Sequence, residues 1–151
     1  MSDIAIRPTR EDEYDAVTQV WLDSHVSTGL AVAGEASFAE LRARIPHEIA
    51  NGWQLYVAEQ DGVIVAMLAF RTRTNYLDQI FVAPEHQHKG IGKRLLAFTR
   101  EHLPDEILLR TAVGNHRAIA WYEREGFVRE NEVFEPGWSG PRVYYRWKRQ
   151  S

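Results

Sequence analysis

Residues Gln87-His88-Lys89-Gly90-Ile91-Gly92-Lys93 set two glycines among basic neighbours. Such a turn has the makings of an anion site. Gly90 and Gly92 carry no β-carbon, so the backbone can bend and aim several N–H groups at one anion, at the positive end of a helix dipole. The expected ligand is a pyrophosphate. The positioning elements are readable on either side. Before the turn, Tyr76-Leu77-Asp78-Gln79-Ile80-Phe81-Val82 is rich in aromatic and β-branched residues and is stopped by Ala83-Pro84, as a strand would be. After it, Ile91, Leu95, Leu96 and Phe98 recur near a helical period, with Lys93, Arg94 and Arg100 turned away.

Two common phosphate loops fail against these residues. A P-loop needs Ser or Thr after its lysine, and Arg94 follows Lys93. A dinucleotide fingerprint needs a third glycine where Leu95 stands. The spacing Gln87-x-x-Gly90-x-Gly92, after a strand ending Val82-Ala83-Pro84, instead resembles the acyl-CoA loop of the GNAT superfamily of N-acyltransferases. A second block supports the same family. Asn115-His116-Arg117-Ala118-Ile119-Ala120-Trp121-Tyr122-Glu123-Arg124-Glu125-Gly126-Phe127 is similar to its Asn-x-x-Ala-x-x-x-Tyr-x-x-x-Gly-Phe segment. By its residues alone, that block reads as a helix capped by Asn115, with Ala118 and Tyr122 on one face and a stop at Gly126.

The resemblance implies transfer of an acetyl group from acetyl-CoA to a primary amine of a small molecule or peptide, by direct attack in a ternary complex. It implies acyl-CoA contacts at Phe81, Val82, Gln87, His88, Lys89, Gly90, Ile91, Gly92, Lys93, Asn115 and Tyr122. An alkyl amine has a pKa of about 10.4, so a base or a water chain must take its proton before attack. Asp78 is the carboxylate candidate, for steering the amine cation or for accepting its proton. On a period-2 strand it would share a face with Tyr76, Ile80 and Val82. The family's usual glutamate base falls on Tyr76 here, which favours a water-mediated route. The oxyanion donor would be a backbone N–H near Phe81 or Val82. Tyr122 occupies the position of a general acid for the departing thiolate, and a core tyrosine is its plain alternative. Trp21, His25, Tyr76 and Asp78 are the candidate acceptor-site residues. A non-catalytic acyl-CoA sensor on the same fold is the competing reading.

Bulk properties narrow the remaining classes. The chain has 151 residues, 44% hydrophobic, enough for one domain spanning 1–151 with a real core. A net charge of −3 without a basic run gives no support to nucleic-acid binding. No cysteine is present for a thiol nucleophile or a disulfide. There is neither an apolar signal core nor a bilayer-length apolar run, so a soluble cytoplasmic protein with no membrane partner is expected. His86-x-His88 lacks a third ligand at useful spacing, so exposed loop histidines are expected and no metal.

The elements follow from the same sequence. Ile4 and Ile6 read as a strand ended by Pro8, and Thr9 as a cap for a helix from about Arg10 to His25. The segment from Thr28 to Gly34 reads as a glycine-bounded loop, followed by a helix from about Ser37 to Ala50 that Pro46 should kink or divide. Gln60-Asp61-Gly62 is a hairpin signal between Trp53–Glu59 and Val63–Arg71. Later strands are expected at about Ile107–Ala112, Phe127–Phe134 and Arg142–Trp147. Trp138, in a turn-rich loop, could lid an acceptor pocket or cover a homodimer seam. This order describes an α/β fold, a mixed sheet of six to seven strands with helices on both faces. The family resemblance adds a splayed strand pair, between the strand ending at Val82 and the one ending near Ala112.

Overall fold

The computed structural model describes residues 3–28, 37–136 and 140–150. The loop expected up to Gly34 lies almost wholly outside the described residues, as does Trp138. In chain order the elements are β1 (Ala5–Pro8), α1 (Tyr14–Ser27), α2 (Phe38–Ala50), β2 (Gln54–Gln60), β3 (Val63–Arg71) and β4 (Tyr76–Val82). They continue with α3 (Ile91–His102), β5 (Glu106–Ala112), α4 (His116–Arg124), β6 (Val128–Val133) and β7 (Arg142–Lys148).

Local chemistry explains most of the element ends. Asp61 and Gly62 take φ of 54° and 77°, the pair of left-handed residues that a type I′ hairpin turn needs. Ser37 caps α2 by accepting from the Glu40 N–H at 3.2 Å, and Asn115 caps α4 through the Ala118 N–H at 3.3 Å. Gly126, at φ 94°, ends α4 as a Schellman motif. Its N–H meets the Glu123 carbonyl at 3.1 Å while the Phe127 N–H meets Tyr122 at 2.9 Å.

One expectation about ends is corrected and a second narrowed. Thr9 does not cap the first helix, and its hydroxyl is buried without a partner. The Glu13 carboxylate instead accepts from the Arg10 N–H at 2.8 Å, closing a 3₁₀ turn over Glu11–Glu13 that leads into α1. Helix α2 also continues through Pro46 rather than dividing there. Its apolar stripe is buried at Leu41 and Ile45 ahead of the proline and continues in the partly buried Ile49 beyond the missing donor.

The seven strands form one sheet in the order β1-β2-β3-β4-β5-β7-β6, antiparallel except for β4 beside β5. Helices α1 and α2 cover one face, burying Val17, Trp21, Leu41 and Ile45 against Val57, Met67 and Ala69. Helices α3 and α4 cover the other, with Leu95, Leu96 and Tyr122 against Leu68, Phe70, Ile107 and Tyr145. Two features of β4 shape the site. It joins β5 through the single register pair Tyr76↔Leu108, so the strands part beyond it. On its other side, Phe70 pairs with Leu77 and Ala69 with Gln79, which leaves Asp78 as the extra residue of a β-bulge.

The bulge overturns the expectation that Asp78 shares a face with Ile80 and Val82. Ile80 and Val82 pack into the α3/α4 core, whereas Asp78 reaches Trp53 and Arg71 on the α1/α2 face, the face that Phe81 also joins. One additional residue shifts the alternation by one position, and every side chain after it changes face relative to those before.

Candidate active site

The turn after β4 leaves a row of donors unspent. The first helical bond of α3 runs from the Arg94 N–H to the Gly90 carbonyl at 3.2 Å. The backbone N–H groups from His88 to Lys93 find no acceptor among the described residues. His88 and Gly90 hold φ of 66° and 82°, and such left-handed residues fold successive N–H groups into a concave anion nest. Gly92 marks where the start of α3 approaches α4 and β4: a β-carbon there would lie 3.4 Å from the Trp121 ring and 4.0 Å from a Val82 methyl, ordinary contact distances.

These donors open on a cavity of about 380 Å³ between the ends of β4, α3, α4 and α1. Of the sequence-derived acyl-CoA residues, Phe81, Val82, Gln87, His88, Gly90, Ile91, Gly92, Lys93 and Asn115 line it; Lys89 is exposed beside it. Tyr122 does not line the cavity, although its neighbours Ala118 and Trp121 do. It is 8% exposed, with its ring against Trp121 and Phe127, and its hydroxyl has no hydrogen bond within the described residues. Burial alone pushes its pKa above the ordinary phenol range.

The open edge of β4 faces this cavity. The Ala83 N–H bonds Val65 at 2.8 Å, so antiparallel alternation also places Phe81 in the ladder with β3 and turns the N–H groups of Ile80 and Val82 outward. The Val82 carbonyl is already occupied by Ser24 Oγ and Gln87 Nε2, each at 3.1 Å, while no acceptor is seen for its N–H. Gln87 therefore ties the loop to the strand end.

The acceptor candidates form a second group across the sheet. Asp78 Oδ2 accepts from Trp53 Nε1 at 2.7 Å and from Arg71 Nη1 at 2.5 Å, and Arg71 Nη2 bonds Glu48. Burial opposes the charge on Arg71, but the bonds to Glu48 and Asp78 outweigh it and hold the guanidinium above its ordinary pKa. Trp21 is buried against Trp53 with ring centroids 5.7 Å apart, and His25 keeps a buried, unpartnered Nε2. The Tyr76 hydroxyl is likewise buried without a partner, and burial raises its pKa despite the opposing charge of Arg110. None of these four lines the cavity; Asp78 stands four residues before Val82 on the same strand.

Several lining residues escaped the sequence reading. Arg117, Trp121 and Arg124 form an i, i+4, i+7 stripe on α4, a signal that helical period alone could have given. Ser24, Ser27 and Thr28 form a polar stripe where an apolar helix ends. Arg117 also meets His88 Nε2 at 2.8 Å. His86 departs from the exposed-loop expectation, being half-buried with Nδ1 shielded and unpaired. Among the described residues no group of three His, Asp, Glu or Cys could hold a metal, and no helix is long and apolar enough to cross a membrane.

A parallel strand pair that opens beside a nest of unpaired N–H groups is the arrangement an acyl-CoA-type transferase uses. The family model described as "Acetyltransferase (GNAT) family" matches residues 14–127, and the chain belongs to this family of acetyl-CoA-dependent N-acetyltransferases. It is 25% identical over 122 residues to the peptidyl-lysine N-acetyltransferase YiaC of Escherichia coli (strain K12), covering 81% of this chain and 82% of that one. A shorter match, 41% over 63 residues, is to the spermidine N(1)-acetyltransferase of Vibrio cholerae, covering 38% of this chain and 36% of that one. The fold is shared with the PaiA N-acetyltransferase of Thermoplasma acidophilum, solved in complex with coenzyme A. There the TM-score is 0.77 at 20% identity, covering 97% of this chain and 99% of that one.

Proposed function

We propose that residues 1–151 form a single catalytic domain that acetylates a primary amine of a small molecule or peptide by direct attack on acetyl-CoA in a ternary complex. The observation that carries this is the unspent row of N–H groups from His88 to Lys93, which ends against the open edge of β4. The pyrophosphate is held by those N–H groups, with Lys93 and Arg117 supplying countercharge at the cavity wall. The acyl carbonyl is polarised by the Val82 N–H, a donor fixed by the strand before reaction begins.

The acceptor amine approaches from the Asp78 side as an ammonium ion, drawn to Oδ1, the carboxylate oxygen that no described residue occupies. Water relays its first proton to Asp78 or to solvent. The freed lone pair attacks the carbonyl carbon, a C–N bond forms, and collapse of the oxyanion breaks the C–S bond. The nitrogen sheds its second proton, which balances the proton that Tyr122 gives to the leaving sulfur. The raised pKa keeps that phenol protonated until it is used.

Relatives whose names specify lysine or spermidine support an amine acceptor and set the first assays. A panel including spermidine and a lysine-containing peptide, followed by release of free CoA, should give acceptor-dependent turnover. Tight acetyl-CoA binding with no turnover on any amine would replace this reading with a non-catalytic sensor.

A further inference from the structure

The Arg71 guanidinium is divided between two carboxylates from different elements. Its Nη1 bonds Asp78 Oδ2 on β4 and its Nη2 bonds Glu48 Oε2 at the end of α2, each at 2.5 Å. Trp53 Nε1 adds a second donor to the same Asp78 oxygen at 2.7 Å. Asp78 is thus gripped by one oxygen, and Oδ1 is left for a ligand. A guanidinium serving Asp78 alone would cancel its charge; one shared with Glu48 leaves the trio a net negative charge. The side chains are 13% (Asp78), 19% (Glu48) and 23% (Arg71) exposed, so solvent screens these charges only in part.

We propose that Glu48, acting through Arg71, sets how much negative charge Asp78 presents to the acceptor amine, which makes Glu48 and Arg71 positioning residues of the acceptor site. This rests on the reading that Asp78 faces that amine. The other groups that act electrostatically on this neighbourhood are His47, whose Nε2 lies 4.0 Å from Glu48 Oε1, Arg110 on β5 and the phenols of Tyr76 and Tyr144. They are common to every variant below, so differences among variants report the trio.

The test uses the full chain with coenzyme A bound and n-butylammonium as a generic primary-amine probe, so it does not wait on the natural acceptor. The Trp53 indole N–H resonance, bonded directly to Asp78, is followed during titration to high millimolar amine. The wild type should show a saturable shift that Asp78→Asn weakens or removes. Glu48→Gln should raise the half-saturating concentration about two- to fivefold, the range of a partly exposed ion pair. Arg71→Gln should lower it, because the competing cation is gone. A purely structural role for both residues predicts weakening in both variants. If Arg71→Gln does not retain coenzyme A, the decision falls to Glu48→Gln placed in the Asp78→Asn background, where it should add nothing.

Each result decides. A wild-type response that is absent, or unchanged by Asp78→Asn, removes the amine from Asp78 and takes this proposal with it. A response that depends on Asp78 but is unmoved by Glu48→Gln, weakened alike by Glu48→Gln and Arg71→Gln, or weakened further by Glu48→Gln in the Asp78→Asn background, overturns the proposal alone and leaves the reading of Asp78 standing.

Discussion

Replacing Tyr122 by phenylalanine separates chemistry from packing, because its hydroxyl has no hydrogen bond within the described residues while its ring packs against Trp121 and Phe127. The ring contacts survive in phenylalanine, and no protein hydrogen bond is lost. With the ring packing kept and no protein hydrogen bond removed, the melting temperature should hold. Acetyl-CoA affinity should also hold, since the cavity is walled by Ala118 and Trp121 rather than by Tyr122. Turnover should fall about 10²- to 10⁴-fold for loss of a general acid, which is about 2.7–5.4 kcal/mol of barrier. Tyr145→Phe is the control. That hydroxyl bonds Glu123 at 2.7 Å, so its loss should cost about 1.5–3 kcal/mol of stability and leave turnover unchanged. Single-turnover mixing with an active amine keeps product release from hiding the chemical step. A Tyr122→Phe rate within about threefold of wild type, where one decade is worth about 1.4 kcal/mol, would return Tyr122 to an ordinary core residue.

Other expected outcomes concern the anion nest and the N-terminal clamp. Gly92→Ala meets the Trp121 ring at an ordinary 3.4 Å and should bind acetyl-CoA nearly as wild type does, whereas Gly92→Asp brings a carboxylate to the unpaired N–H groups. Calorimetry should show at least about a tenfold weaker Kd for the aspartate, about 1.4 kcal/mol, and equal affinities would refute the loop assignment. Gly90→Ala finds open space but must hold φ near 82°, so urea unfolding should show a loss of about 1–2 kcal/mol. Glu13, bonded to Arg7, has a pKa lowered from 4.5 to about 2. A depressed carboxylate pKa stabilises the fold above its unfolded value and loses that contribution as pH falls, so melting temperature should drop between pH 4.5 and about 2. Glu13→Gln should flatten that drop, and an unchanged slope would remove Glu13 from the acid transition.

What the sequence determined alone was local. The turn at Asp61-Gly62, the cap at Asn115, the stop at Gly126 and the glycine nest each depend on backbone preferences of a few adjacent residues. The donors from His88 to Lys93 were legible for the same reason, since a helix start always leaves its first N–H groups unsatisfied. The failed Thr9 cap marks the edge of that reach, because the chain enters α1 through a 3₁₀ turn held by Glu13, a carboxylate also bonded to Arg7 on β1. The setting of Asp78 belonged to the tertiary structure. Its face depends on a bulge that exists only when β3 and β4 pair, and its partners Trp53 and Arg71, with Glu48 behind them, come from separate elements. The parting of β4 and β5 is likewise a property of a parallel pair joined at one register position. Periodicity reports which residues of one element share a face, and it carries no term for an extra residue that pairing forces out of the ladder.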